Sequence, residues 1–159
     1  EEEIMRKQDK ILRIVCSVLF FGAVAAMGAA FVDTSDAWYQ SLIKPALQPP
    51  AIVFSVVWTV LYALLAASLS LVSIMPGAQK KTLALYVVTG VLNVLWTYTF
   101  FYLQNPGGAV FVLIITLIAA AFLFTDVHRY QKTAAYLLIP YLIWLCFALY
   151  LNYELAFFN

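Results

Sequence analysis

The stretch W-Y-Q-S-L-I-K-P-A-L-Q-P-P, residues Trp38–Pro50, runs directly into A-I-V-F-S-V-V-W-T-V-L-Y, residues Ala51–Tyr62, and this junction decides the fold. The three prolines of the first half fix φ and remove backbone N–H donors, which predicts an ordered extended or turn structure. The last of them suits the first turn of a helix. The second half opens an apolar segment with no charged residue before Lys80. The junction therefore predicts a stiff lid that leads into a membrane helix.

The composition is that of a membrane protein. Hydrophobic residues make up 65% and charged residues 11% of the 159 residues, and the mean hydropathy is +0.92, whereas soluble domains carry about 25% charged residues. The net charge of +1 and the lack of a basic run with interleaved aromatics argue against nucleic acid as a partner. Cys16 and Cys146 lie in apolar segments, where we expect small buried hydrophobic residues, and no spacing typical of a metal site occurs.

Five apolar runs are long enough to cross a bilayer, and turn-forming or charged residues separate them. The predicted helices cover residues 11–32, 51–75, 82–103, 108–126 and 134–157, and a lid loop covers 33–50. Four helices would require a re-entrant run, and six would require a span that is too short. The first run lacks a convincing cleavage site, so we expect a membrane helix and not a signal peptide. The predicted fold class is an all-α membrane protein, a single domain over residues 1–159 built as a five-transmembrane-helix bundle.

Basic residues are distributed unevenly between the two sides of this predicted bundle. The side of the amino terminus holds Arg6, Lys7, Lys10, Arg13, Lys80, Lys81, Arg129 and Lys132, and the opposite side holds only Lys44. Cytoplasmic connections carry an excess of lysine and arginine. We therefore expect the amino terminus in the cytoplasm and the lid and the carboxyl terminus outside.

Three tryptophans on different helices are predicted to share one depth. At about 1.5 Å of rise per residue, Trp58 and Trp96 lie roughly 12 Å and Trp144 roughly 15 Å below the outer boundary. Because indole N–H groups usually find partners at the membrane interface, these rings either fill a packed bundle or line a cavity beneath the lid. Asn93 lies one turn deeper than Trp96 on the same helix face, which suits a cavity or a hydrogen bond between helices.

A cavity of this kind suits a large, flat and mostly apolar ligand. The spans hold no acidic or basic residue near the midplane, which argues against ion-coupled transport. Asp126 and Glu154 fall at span ends, where solvated charge is usual, and His128 lies among basic residues on the inner side, away from the proposed cavity.

Four motifs in order give the chain a family resemblance. W-Y-x-x-L-x-K-P-x-x-x-P-P begins at Trp38, F-x-x-x-W-T-x-L-Y at Phe54 and N-x-x-W-x-x-x-F-F at Asn93, and the segment from Ala135 reads A-Y-L-L-I-P-Y-L-I-W-L-C-F-A-L-Y-L-N. Over nearly the whole chain after residue 30, these motifs resemble the translocator protein (TspO/MBR) family, also called tryptophan-rich sensory proteins or peripheral-type benzodiazepine receptors.

The resemblance implies a five-helix bundle in membrane lipid, commonly a homodimer, that binds porphyrins, other haem-related tetrapyrroles, sterols and synthetic isoquinoline or benzodiazepine ligands. It implies a pocket among the helices beneath the first loop. No cofactor is required, and a porphyrin, either protoporphyrin or a haem-like molecule, is the expected ligand. The ligand-binding residues that it implies are Trp38, Tyr39, Pro49, Trp58, Tyr62, Asn93, Trp96, Trp144 and Ala148.

Three functions are compatible with these residues. The first is a receptor or sensor that binds a porphyrin, and the second is a light- and oxygen-dependent enzyme that degrades it, with Trp58 and Trp144 as the catalytic residues. The third is a carrier for tetrapyrroles or sterols. The basic residue that the sterol motif of animal members places after a tyrosine is missing after Tyr153, which argues against sterols. Small residues at 22–30 and around Gly90 are two alternative dimer faces.

Overall fold

The computed structural model describes the backbone of residues 2–159 and the side chains of residues 6–159. Residue 1 of the predicted 1–159 domain lies outside the described residues. The described chain folds into helices and contains no strand. The helices are α1 (Glu2–Phe31), α2 (Ala37–Ser41), α3 (Ala51–Ser73), α4 (Lys80–Thr97), α5 (Pro106–His128), α6 (Lys132–Tyr136) and α7 (Ile139–Phe158), and a π-helical turn over Tyr98–Tyr102 extends α4.

Five helical segments are long and apolar enough to cross a membrane, which confirms the predicted five-span, all-α fold class. They are Arg6–Phe31, Ala51–Ser73, Lys80–Tyr102, Pro106–His128 and Lys132–Phe158. Most bounds differ from the predicted ones by a few residues, but α1 begins at Glu2 and not near residue 11. Its 30 residues extend about 45 Å, beyond the roughly 30 Å of the hydrocarbon layer. The helix therefore continues through charged residues that lie outside the apolar run.

Prolines and one asparagine set several helix ends. Pro50 occupies the cap position of α3, next to the predicted position in its first turn. The side chain of Asn105 caps the next long helix on that side, and Pro106 is its first residue. Pro140 lies in the first turn of α7, where it can donate no backbone hydrogen bond to the preceding turn. The predicted single helix 134–157 is therefore divided into α6 and α7.

The spans form a ring. α1 packs against α3 and α4, α5 packs against α4 and α7, and α3 meets α6 and α7, so that the order around the bundle is α3, α1, α4, α5, α7. The lid side of the bundle is the end that carries residues 33–50, residues 103–105 and the end of α7. The basic side is the opposite end, with residues 74–79 and 129–131.

The half of the bundle towards the basic side is tightly packed. Tyr86 and Tyr141 are completely buried. Ser68 Oγ donates a hydrogen bond to the carbonyl oxygen of Ala134 at 2.7 Å and lies 2.6 Å from Tyr86 Oη, which donates to it in turn. Buried hydroxyls need such partners because an unpaired polar group in an apolar interior is costly. These hydrogen bonds fix α6 against α3 and α4, and the side chains of this half of the bundle are closely packed.

The outer face of the bundle contradicts one prediction from the sequence. Cys16 and Cys146 are both exposed on the chain, so the expectation that they are buried is wrong. Lipid tails are as apolar as the protein interior, and a hydrophobic side chain in a membrane span therefore gains little from burial between helices.

Gly90 provides a close contact between α4 and α1. A Cβ atom at this position would lie 2.9 Å from Phe20 Cζ and 3.0 Å from Val24 Cγ2, whereas at Gly22 nothing lies within 4 Å. Because Gly90 is occupied by contacts within the chain, only the segment around Gly22 keeps an open small-residue face. Of the two stretches predicted as alternative dimer faces, the one around Gly90 is used for packing within the chain.

Polar contacts hold the lid, residues 33–50, at its first residues and near its middle. The Ser35 hydroxyl donates to Asp33 Oδ1 at 2.6 Å and the Ser35 N–H at 2.9 Å, and these bonds lower the pKa of the Asp33 carboxyl below its usual value. Near the middle, the backbone of Ile43 forms two hydrogen bonds with the side chain of Asn159. The lid therefore contains the short helix α2 and is joined to the end of α7.

Candidate ligand-binding cavity

A cavity of about 420 Å³ lies on the lid side, among α1, α3, α4 and α7 and beneath the lid. Its volume falls within the range of about 300–1,000 Å³ of small-molecule sites. Its lining residues are Ala25, Gly28, Ala29, Val32, Thr34, Tyr39, Gln48, Ala51, Phe54, Ser55, Trp58, Thr59, Tyr62, Trp96, Thr97, Phe100, Phe101, Ala148, Leu151, Asn152 and Leu155. No acidic or basic side chain is among these described residues, so the cavity has no conventional acid, base or metal ligand.

Aromatic rings form the wall between α3 and α4. The rings of Trp58 and Trp96 have centroids 5.7 Å apart and are tilted by 34°. Tyr62 lies one turn further along α3, with its centroid 5.5 Å from that of Trp58. Aromatic rings at these separations gain both buried area and favourable ring contacts. The wall therefore presents broad, nearly flat π surfaces to the cavity.

Hydrogen bonds hold one of these indoles in place. Trp96 Nε1 donates to Asn152 Oδ1 at 2.8 Å, and Asn152 Nδ2 donates to the carbonyl oxygen of Pro106 at 2.8 Å. The carboxamide thus connects α4, α5 and α7. Its fixed position orients the Trp96 ring and leaves the indole N–H with no further capacity for a ligand.

Two other polar groups of the aromatic wall remain free. Within the described part of the chain, neither the indole N–H of Trp58 nor the hydroxyl of Tyr62 forms a hydrogen bond, and both residues line the cavity. A Cβ atom added at Gly28 would lie 3.8 Å from Tyr62 Oη and 3.7 Å from Thr97 Oγ1. The glycine on α1 therefore keeps the space in front of these groups open. They can donate hydrogen bonds to a bound molecule.

The lid supplies polar groups at the opposite end of the cavity. Tyr39 and Gln48 both line it, and Gln48 Nε2 lies 3.5 Å from Tyr39 Oη. Burial raises the pKa of the Tyr39 hydroxyl, so this group stays protonated at physiological pH. The Tyr39 ring packs against Phe101, with centroids 5.7 Å apart.

The structure brings five of the nine predicted binding residues to the cavity. These are Tyr39, Trp58, Tyr62, Trp96 and Ala148. The other four lie outside its lining.

Of these four, Trp38 packs edge-to-face on Phe100 at 5.7 Å and supports the wall from behind. Pro49 follows Gln48 in the lid and is half-buried. Neither side chain reaches the cavity, and both contribute to the shape of the residues that do.

Of the remaining two, Asn93 lies in the packed interior, and Trp144 is partly buried against the core. Asn93 is 1% exposed, and its Oδ1 accepts a hydrogen bond from Tyr141 Oη at 3.0 Å. The sequence allowed Asn93 either to face a cavity or to form a hydrogen bond between helices, and the structure shows the hydrogen bond, from α7 to α4. Trp144 packs edge-to-face against Phe54 at 5.7 Å. Trp144 therefore lies behind a lining residue, although its depth matches that of Trp58.

Several lining residues were missed by the sequence argument although their pattern was visible. Ala25, Gly28, Ala29 and Val32 recur at intervals of three and four residues, which places them on one face of α1. Small residues in a membrane span usually indicate close packing of helices, but here they open space for the cavity. Gln48 could not be found by periodicity, because it lies in the lid.

Comparison with known proteins agrees with this architecture. The model of the TspO/MBR family matches residues 14–158. The tryptophan-rich protein TspO of Chlorobaculum tepidum is 31% identical over 157 residues, which cover 95% of this chain and 97% of the relative. The tryptophan-rich sensory protein of Cereibacter sphaeroides is 34% identical over 133 residues, 84% of this chain and 82% of the relative. The translocator protein of Bos taurus is 34% identical over 140 residues, 86% of this chain and 80% of the relative.

These matches extend across all five spans and include the lid and the cavity-lining segments of α3, α4 and α7. They agree with the motifs from which the resemblance was inferred. The protein is therefore an integral multi-pass membrane protein, and the chain belongs to the TspO/MBR family.

Proposed function

We propose that this protein is a membrane receptor that binds porphyrins and related flat, apolar ligands in the cavity beneath the lid. The observation that carries the proposal is the aromatic wall, in which Trp58 and Trp96 present their rings 5.7 Å apart beside the unpaired donor groups of Trp58 and Tyr62. A tetrapyrrole offers a wide π face to such a wall and polar atoms to its donors. The uncharged lining favours a neutral aromatic core over a simple ion.

Equilibrium titration with protoporphyrin IX in lipid nanodiscs tests the receptor function. Gly28→Leu fills the space in front of Tyr62 and Thr97 and is expected to weaken binding by tenfold or more, or about 1.4 kcal/mol. Gly22→Leu places the same side chain on the open face of the same helix and is expected to bind like the wild type. Empty nanodiscs measure partition of the porphyrin into lipid. Equal binding by the two variants would remove the cavity as the site.

Light- and oxygen-dependent degradation of the bound porphyrin is a second candidate. The supporting observation is that the Trp58 ring contacts both Tyr62 and the buried Tyr141, with centroids 5.5 and 6.4 Å away. Degradation of this kind requires oxidisable side chains next to the pigment, and Trp and Tyr rings are oxidisable. The chemistry would otherwise be that of the pigment itself, since the lining offers no acid or base.

Loss of the porphyrin absorption band under light and air measures this activity. Trp58→Phe is expected to slow the loss at least tenfold with binding retained. Trp144→Phe serves as the matched variant, and its effect is expected to be smaller because Phe54 lies between this indole and the cavity. A rate unaltered by Trp58→Phe would reject the indole as a catalytic residue. A carrier function, by contrast, requires porphyrin uptake into sealed vesicles that exceeds the uptake of empty lipid.

The distribution of charge supports an orientation with the basic side in the cytoplasm. Eight lysines and arginines belong to that side and one to the lid side, which is the pattern of the positive-inside rule. The lid then faces outward, as does the carboxyl terminus. The open small-residue face around Gly22 is the surface on which we place a homodimer contact, and crosslinking through a cysteine introduced at Ala26 tests it.

A further inference from the structure

The lid contains a polar pair that the packing leaves half satisfied. Gln48 Nε2 donates to Tyr39 Oη across 3.5 Å, while Gln48 Oε1 is buried and has no hydrogen-bond partner in the described chain. Both side chains line the cavity. A buried carbonyl oxygen without a donor is unusual in a folded protein and calls for an explanation. Rotation of the Gln48 side chain towards the cavity that it lines would bring this oxygen to a donor on a bound molecule.

The pair offers one donor and one acceptor for either orientation of the carboxamide. When Nε2 donates to the phenol oxygen, the Tyr39 O–H and Gln48 Oε1 remain for a ligand. When the amide is turned over, Tyr39 donates to Oε1, and Nε2 together with the second lone pair of the phenol oxygen remains. In each case a donor and an acceptor lie side by side at the edge of the cavity.

A carboxyl group has the matching pair of atoms on one carbon. Its O–H donates to the acceptor of the lid while its carbonyl oxygen accepts from the donor. Lys44 places a positive charge on the lid close to Tyr39, because its Nζ lies 4.7 Å from the centroid of the Tyr39 ring and donates to the Tyr39 carbonyl oxygen at 3.1 Å. Lys44 itself is exposed and does not line the cavity. It is the only lysine or arginine between Arg13 and Lys80. An ionised carboxyl would therefore also be favoured at this position.

We propose that Tyr39 and Gln48 form a subsite for a carboxyl group of the ligand, so that a macrocycle binds with its acid edge under the lid and its ring against Trp58 and Trp96. This inference rests on the proposed receptor function and defines its ligand class as flat apolar acids. The raised pKa of the Tyr39 hydroxyl is consistent with a phenol that stays protonated and able to donate.

The experiment compares protoporphyrin IX with its dimethyl ester, which keeps the ring and lacks the acid hydrogens and charges. Affinities for both are measured in nanodiscs, after subtraction of empty nanodiscs, for the wild type, Gln48→Leu and Tyr39→Phe. Gln40→Leu is the matched control, since Gln40 lies on the same lid, is exposed and binds the Thr34 carbonyl instead. Tyr39→Phe retains the ring contact with Phe101 and removes a single oxygen.

The wild type is expected to bind the acid about tenfold more tightly than the ester, a difference of about 1.4 kcal/mol. Gln48→Leu and Tyr39→Phe are expected to reduce this ratio towards one by weakening the acid alone, and Gln40→Leu is expected to keep it. Equal wild-type affinities for acid and ester, or an equal loss of both in the variants, would overturn the subsite and leave the receptor function intact. Failure of the wild type to bind either compound would overturn both.

Discussion

The side chain of Asn159 forms two hydrogen bonds with the backbone of Ile43. Its Oδ1 accepts from the Ile43 N–H at 2.8 Å, and its Nδ2 donates to the Ile43 carbonyl oxygen at 3.0 Å. The two residues are 116 positions apart in the chain. The contact fastens the middle of the lid to the end of α7. Since the lid covers the cavity, we expect this pair to influence how fast a bound molecule leaves.

Removal of this side chain is expected to loosen the lid. Each of the two hydrogen bonds is worth about 0.5–1.5 kcal/mol at most in this exposed position, so Asn159→Ala should leave the fold intact and speed ligand dissociation severalfold. Stopped-flow dissociation of protoporphyrin measures the rate. Phe158→Ala, at the adjacent exposed position, is the control. Equal dissociation rates for both variants and the wild type would show that the contact does not restrain the lid.

The close approach at Gly90 predicts a stability difference between two glycines. Gly90→Ala inserts a methyl group about 3 Å from Phe20 and Val24 and is expected to cost about 1–3 kcal/mol, as is typical of overpacking. Gly22→Ala meets nothing within 4 Å in the single chain and, in a helix of the monomer, is expected to be neutral or slightly stabilising. Thermal unfolding in detergent compares the two. A reversed order would mean that α1 and α4 do not pack as described.

Ser68 carries the polar connection in the tightly packed half of the bundle. Ser68→Ala leaves the Tyr86 hydroxyl and the Ala134 carbonyl oxygen without the partner described above, which is expected to cost about 1–3 kcal/mol. Ser70→Ala is the matched control, because Ser70 Oγ donates only to the Ala66 carbonyl oxygen of its own helix. Unfolding midpoints in detergent are the measurement. Equal midpoints would contradict the importance of the buried network.

The number of spans followed from the sequence because length and hydropathy are properties of each segment alone. The direction in which individual side chains point was harder to predict. Trp58 and Trp144 were assigned nearly the same depth, since the rise per residue fixes depth, but the rotation of α7 in the bundle turns Trp144 towards Phe54. Rotation depends on packing against neighbouring helices, which one segment does not encode. A local pattern likewise gave no indication of the exposed cysteines, because lipid satisfies an apolar face.

In the lid, too, tertiary contacts could not be predicted from the local sequence. Its prolines predicted an ordered segment, and the structure agrees, but the pairing of Gln48 with Tyr39 depends on a contact nine residues apart in irregular structure. Pro140 indicated the division of the last span into α6 and α7, but a single helix over residues 134–157 was predicted. Membrane helices often tolerate proline, so the signal alone does not determine whether a helix bends or ends.

Asn152 and Trp96 provide a test of how the cavity wall is held. Asn152→Leu is close in volume and leaves the Trp96 indole N–H without its acceptor, at an expected cost of about 1–3 kcal/mol. In a Trp96→Phe background the indole N–H is already missing, so the same substitution should cost about 1 kcal/mol less. The four proteins of this double-mutant cycle are compared by thermal unfolding in detergent. Additive effects would contradict the coupling, whereas a positive coupling together with weaker porphyrin binding by Asn152→Leu would identify the carboxamide as the group that orients the Trp96 ring for the ligand.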